Sequence, residues 1–223
     1  MSGIYDPAFG AQFGMVSYDW SNAKAIWANT KPMDCEAMLL KQVELTKAVN
    51  PDSKTWVYRN LVKALPWFGS VREKMDDPSY SGWFLKFSPA VLANHSAAHV
   101  PVCDKDYSPP KCTPFYHDQE QTPEHPHGDG SCVDKCDCGV HPCGEYLWNH
   151  ANGSMLREFL VNEFVGGPKG VGSKLVDGLF LDDGWSNHSD PKPAWADPGY
   201  GQCDMGPKGG ATVLISLAIF RSN

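Results

Sequence analysis

The sequence predicts an α/β fold built on a parallel sheet, and three observations carry that reading. Short apolar runs recur along the chain. Segments with helical spacing separate several of them. The runs give way to polar residues at their far ends. Strands that are apolar throughout belong to sheets buried on both faces. In such sheets ligands bind at the carboxyl ends of the strands.

Phe13 to Trp20 reads as the first strand, ending in Asp19 and Trp20. Met33 to Val49 has helical spacing, with Met33, Ala37, Leu40, Val43, Leu45 and Ala48 apolar. Asp34 and Glu36 sit near its start, where the helix dipole favours carboxylates. Asn50-Pro51-Asp52 stops it. Thr55 to Tyr58 is strand-like and ends in Arg59 and Asn60. Leu61 to Met75 reads as a helix interrupted at Pro66. Gly82 to Phe87 and the aromatic-rich Glu145 to His150 are a third and a fourth short run. Asn152-Gly153-Ser154 starts a helix over Met155 to Val165, with Leu156, Phe159, Leu160 and Phe164 on one face, and Gly166-Gly167-Pro168 ends it. Leu175 to Leu181 is the next strand, and it delivers Asp182 and Asp183. The polar residues at strand ends are thus Asp19, Arg59, Asn60, His150, Asp182 and Asp183. They form one site only if the strands are neighbours.

The chain has 223 residues, of which 42% are hydrophobic, enough for one domain with a sizeable core. The net charge of -7 and the lack of a Lys or Arg run argue against a nucleic-acid partner. No segment reaches the ~18 apolar residues of a membrane span; the apolar run Thr212 to Phe220 is too short. No oligomeric state is assigned. A P-loop, a dinucleotide glycine fingerprint and a Gly-x-Ser-x-Gly elbow are missing from the sequence, so no cofactor is expected. Gly166 to Gly170 follows a helix and reads as a turn. Eight Trp residues supply core candidates and also the flat apolar rings on which a pyranose can stack.

Cys103, Cys112, Cys132, Cys136, Cys138 and Cys143 fall in one irregular stretch rich in Pro, Gly and His. An even count in a segment with little apolar patterning reads as disulfide staples in an oxidising compartment. Six cysteines allow about 15 pairings, and the sequence chooses none. The same stretch holds His125 and His127, so zinc is the alternative, although it has no Cys-x-x-Cys pair and no His-x-x-x-His spacing. Asn94, Asn152 and Asn187 head glycosylation sequons and point to a secreted or extracellular protein. Met1 to Gly14 carries no charged segment followed by an apolar one, so the expectation is a chain that begins after the true start.

The stretch Tyr146 to Phe164, read Tyr-Leu-Trp-Asn-His-Ala-Asn-Gly-Ser-Met-Leu-Arg-Glu-Phe-Leu-Val-Asn-Glu-Phe, leads through Val176-Asp-Gly-Leu-Phe-Leu-Asp-Asp183. It resembles the middle of glycoside-hydrolase-like TIM barrels, including families known only as putative glycosyl hydrolases. There a polar turn and an amphipathic helix precede Asp-Gly, three apolar residues and Asp. The resemblance implies a (β/α)8 barrel in which this helix leads into the fourth strand and the closing Asp sits at its carboxyl end. Asp182-Asp183-Gly184-Trp185 also looks like a motif of α-galactosidase-type barrels. In those it belongs to an earlier strand and contacts substrate hydroxyls. A complete barrel takes about 250 residues, and the segment after Met205 shows no further βα units. The expectation is therefore one barrel-type domain over 1–223, incomplete and corresponding to the first half of a barrel. It would carry a disulfide-rich insertion at about 101–144 and an irregular tail from about 186.

Glycoside hydrolysis uses two carboxyl groups. Asp182 is the first candidate, as nucleophile or as stabiliser of an oxocarbenium-like transition state. Asp19 is the second, and a turn-capping carboxylate is its alternative. Asp183, Trp185, Trp20, Arg59, Asn60, Trp148 and His150 are candidate substrate-binding residues; Arg59 could equally form a structural ion pair. Asp177 reads as structural, and Glu145 lies at the wrong end of its run for catalysis. The function expected is that of a glycoside-hydrolase-like protein acting on a glycan. The alternatives are a non-catalytic carbohydrate-binding or structural barrel, and a zinc module built on 103–143.

Overall fold

The computed structural model describes residues 3–86, 115–118, 141 and 144–182. Strands β1 (Met15–Tyr18), β2 (Lys54–Asn60) and β6 (Gly178–Asp182) form a parallel sheet in the order β1-β2-β6. Tyr18 pairs with Val57, and Asn60 pairs with Asp182. A second, antiparallel sheet has the order β3-β5-β4, with β3 at Lys63–Ala64, β4 at His117–Asp118 and β5 at Glu145–Leu147. The protein is therefore a mixed α/β fold. No closed barrel is present among the described residues.

The short helices α1 (Pro7–Gly10) and α2 (Lys24–Trp27) precede helix α3 (Cys35–Val49), which crosses from β1 to β2. Asp34 caps it by accepting from the Ala37 amide. Its buried residues Cys35, Glu36, Leu39, Gln42, Val43 and Thr46 recur at three- and four-residue steps, so one stripe faces the sheet. Tyr18, Val57 and Arg59 lie beneath that helical layer and are all buried. Thr46 bonds the Tyr18 hydroxyl at 2.6 Å, and Gln42 bonds both backbone groups of Tyr5. The helix thereby fixes β1 and the amino-terminal segment together.

Three sequence expectations are corrected here. Gly82 to Phe87 and Glu145 to His150 do not continue the parallel series. The first run ends a 3-10 helix at Pro78–Trp83 and then bridges Trp148 and Phe115 through Phe84 and Lys86. The second supplies β5, the centre of the antiparallel sheet. Leu61 to Met75 is not one interrupted helix: it holds β3, then α4 at Gly69–Asp76. Pro66 lacks the amide a continuous helix would need, and the chain preceding it is pushed to extended backbone. Among the described residues, β6 is the third strand of the parallel sheet and pairs directly with β2.

The helix expected over Met155 to Val165 forms as α5 (Ser154–Phe159) followed by one wider turn, Leu160–Val165. Its apolar face packs Leu156, Phe159, Leu160 and Phe164 into the core. No helix of the described residues is long and apolar enough to cross a membrane.

Candidate functional site

The strands that lead to Asp19, Asn60 and Asp182 lie side by side and parallel, with their carboxyl ends together. Side chains alternate along a strand. One face of the sheet therefore carries Ser17, Trp56, Tyr58, Asn60, Gly178, Phe180 and Asp182. Helices cover the other face. The first face is exposed at Phe180, 51%, and at Met15, 58%, while Tyr58, Asn60 and Gly178 on it are buried. Gly178 fits this face because the Trp56 ring lies across it. A Cβ at Gly178 would stand 2.6 Å from that ring.

At the top of this face, Tyr58 donates to Asp182 Oδ2 at 2.9 Å. Asn60 Nδ2 donates to the Tyr58 hydroxyl, also at 2.9 Å. Asn60 Oδ1 accepts the backbone amides of Val62 and Lys63 at 2.9 and 2.6 Å. The turn that leaves β2 and the carboxylate that ends β6 are thus joined through two buried side chains. The ring of Phe180 stacks on Tyr58 with centroids 6.2 Å apart. Tyr58 was not singled out by the sequence reading. Alternation along β2 is the signal that finds it, since it shares a face with Asn60.

Asp19 stands apart from this cluster. Its Oδ1 accepts the Ser21 amide at 2.8 Å, and its backbone carbonyl accepts from Asn22 at 2.9 Å, so it caps a turn. It lines a cleft of about 350 Å³ beside β1, with Tyr5, Phe13, Ser17 and Asn22. β2 lies between β1 and β6, and Asp19 follows the residue that pairs with Val57. Strand spacing of about 4.8 Å and rise of about 3.3 Å per residue then separate Asp19 and Asp182 by about 12 Å at Cα.

Arg59 faces the helical layer and is fully buried. Its guanidinium donates to the carbonyls of Phe164, Tyr58 and Lys169 at 3.0, 2.8 and 2.5 Å, and it pairs with Glu36 at 3.5 Å. The rings of Phe68 and Phe164, edge to face with each other at 5.6 Å, lie against it at 5.4 and 5.2 Å. Burial holds the guanidinium below its ordinary pKa, against the opposing pull of Glu36. Of the two readings the sequence left open, the structural ion pair is the one formed. Glu36 also accepts from the Ser70 amide and hydroxyl and pairs with Lys169. Burial alone would lower the Lys169 ammonium; Glu36 and Asp34 outweigh it and hold it above the usual value.

Two of the aromatic candidates are among the described residues, Trp148 in the core and Trp20 partly buried against it. Trp148 is buried and stacks on Phe84 at 5.1 Å. Trp20 packs with Trp67 and Trp27 at 5.0 and 6.2 Å, and Lys24 sits over its ring. His150 bonds the Leu61 carbonyl at 2.7 Å, and burial depresses its pKa. It therefore fastens the second sheet to the turn that leaves β2. Asp183, Trp185, Asn94, Asn187 and the six cysteines from Cys103 to Cys143 lie outside the described residues, as do His125 and His127. Asn152 falls in the short turn His150–Asn152. Cys35 is a buried thiol, pushed up in pKa by burial and by Glu36. Among the described residues, no three His, Cys, Asp or Glu side chains gather as a metal site requires.

No protein-family model matches this chain, and no curated protein matches it either.

Proposed function

We propose that this chain is a secreted, glycoside-hydrolase-like protein of (β/α)8-barrel type that acts on a glycan. The observation that carries the reading is Asp182: a carboxylate at the carboxyl end of a parallel strand, held by Tyr58 beside the neighbouring strand end. Parallel α/β sheets use that end for ligands. Asp182 would stabilise an oxocarbenium-like transition state, as nucleophile or as counter-charge. Asp19 is a poor direct partner for it. Its Oδ1 already caps a turn by accepting the Ser21 amide.

A panel of 4-nitrophenyl glycosides tests the reading. One or more should be hydrolysed, and Asp182→Asn should cut that rate by roughly 100-fold or more. Unchanged hydrolysis in Asp182→Asn would sink the assignment. A second reading, glycan binding without turnover, draws on the exposed Phe180 ring stacked on Tyr58 beside Asp182. It is favoured if a glycan array registers binding while every glycoside stays intact.

A further inference from the structure

We infer that Asn60 and Tyr58 are positioning residues that hold Asp182 Oδ2 as a hydrogen-bond acceptor, through a chain of fixed direction. The chemistry this serves rests on the glycosidase reading above; the direction of the chain rests on geometry alone.

Backbone amides can only donate. Those of Val62 and Lys63 both reach the Asn60 side chain, so the atom facing them is its carbonyl oxygen. The Asn60 amide nitrogen therefore faces Tyr58, and it too can only donate. The Tyr58 oxygen is thus an acceptor from Asn60. The Tyr58 hydroxyl in turn donates to Asp182 Oδ2, 2.9 Å away. An O–H donor aimed at a carboxylate is the strong, charge-assisted kind of hydrogen bond. Asp182 Oδ2 is thereby held in place as an acceptor at the end of β6.

The fold explains why the chain holds. Asn60 is opposite Asp182 in the register, and Tyr58 reaches Asp182 on the diagonal. Tyr58 is 3% exposed and Asn60 is 1% exposed, so water does not compete freely for these bonds. The turn amides that orient Asn60 belong to the backbone and cannot reverse.

Asn60→Asp separates this role from a structural one. It keeps an oxygen for the two turn amides but exchanges the donor facing Tyr58 for an acceptor, which draws the Tyr58 proton away from Asp182. Tyr58→Phe removes the proton altogether. The readout is the carboxyl ¹³C NMR signal of Asp182 at pH 7, identified by its loss in Asp182→Asn. Both variants should displace that signal in the same direction. If Asn60→Asp does not fold, Tyr58→Phe, which loses one oxygen atom, carries the same test. A signal that stays at its wild-type position in the folded variants overturns the inference. On a hydrolysed 4-nitrophenyl glycoside, each variant should lower kcat by about 10–100-fold and leave KM nearly unchanged. A loss confined to KM also overturns the positioning role. If the signal moves and the wild type hydrolyses no glycoside, the chain of bonds stands and the glycosidase reading fails.

Discussion

Lys47 donates to Asp177 Oδ2 at 2.6 Å and so ties the last turn of α3 to the residue before β6. The same oxygen accepts the Thr55 amide at 2.9 Å, at the start of β2. Burial would raise the Asp177 carboxyl; Lys47 and the Thr55 amide outweigh it and hold it below the usual value. A carboxyl whose pKa falls on folding stabilises the fold above its unfolded value, near ~3.9. That contribution is lost as pH falls through the folded value. Asp177→Asn should therefore cost about 1–2 kcal/mol at pH 7 in urea denaturation. The gap from wild type should close on acidification below about pH 3. A gap that persists there would mean that packing, not the ion pair, is responsible.

Arg59 and Glu36 should behave as a coupled buried pair. Removing one charge leaves the other in a dry interior, at about 3–5 kcal/mol. Arg59→Met should cost that much in a denaturant melt. The double variant Arg59→Met with Glu36→Gln should cost clearly less than the two single losses added together. Simple additivity would mean that Lys169 alone compensates Glu36.

His141 is buried and His150 partly buried; they bond the Met75 and Leu61 carbonyls and are held below the ordinary histidine pKa chiefly by desolvation. Their unfolded forms bind protons more readily than the folded ones. Stability should therefore rise with pH up to about pH 6.5–7 and fall on the acid side. His150→Gln should flatten this slope, by at most about 1.4 kcal/mol per pH unit. An unaltered slope in thermal melts from pH 5 to 7 would assign the effect elsewhere.

Gly178→Ala would drive a methyl group into the Trp56 ring. The ring must tilt or the strands must part, at about 1–3 kcal/mol. Trp fluorescence should shift together with the loss of stability. Wild-type stability with an unshifted spectrum would mean that the ring yields without cost.

Much of the parallel sheet was legible in the sequence, because period and punctuation agreed there. Asp34, the apolar spacing through Leu40 and Val43, and Asn50-Pro51 mark α3 within two residues. Val-Asp-Gly-Leu-Phe-Leu-Asp marks β6. The antiparallel sheet was not legible. Phe84 and Tyr146 sit in apolar runs as short as those of β1, and a short run does not state the direction of its partner. The site was half legible. Asp182 and Asn60 were visible at strand ends. Tyr58 was hidden because a tyrosine inside an apolar run reads as core. Arg59 was ambiguous because the face of a strand on which a charge falls depends on which side the helices pack.

The bond between Tyr58 and Asp182 joins residues 124 positions apart. A ribosome adding about 5–20 residues per second needs roughly 6–25 s to travel that distance. The unit from β1 through α3 to β2 can dock as soon as it emerges. Meanwhile Trp56, Tyr58 and the far edge of β2 wait in a nascent chain whose partner strand has not yet been made. An unpaired parallel edge beside exposed aromatic rings is what holding chaperones bind and what aggregation seeds upon. The lateness of β6 leaves that edge of β2 unpaired for as long as the ribosome takes to reach it.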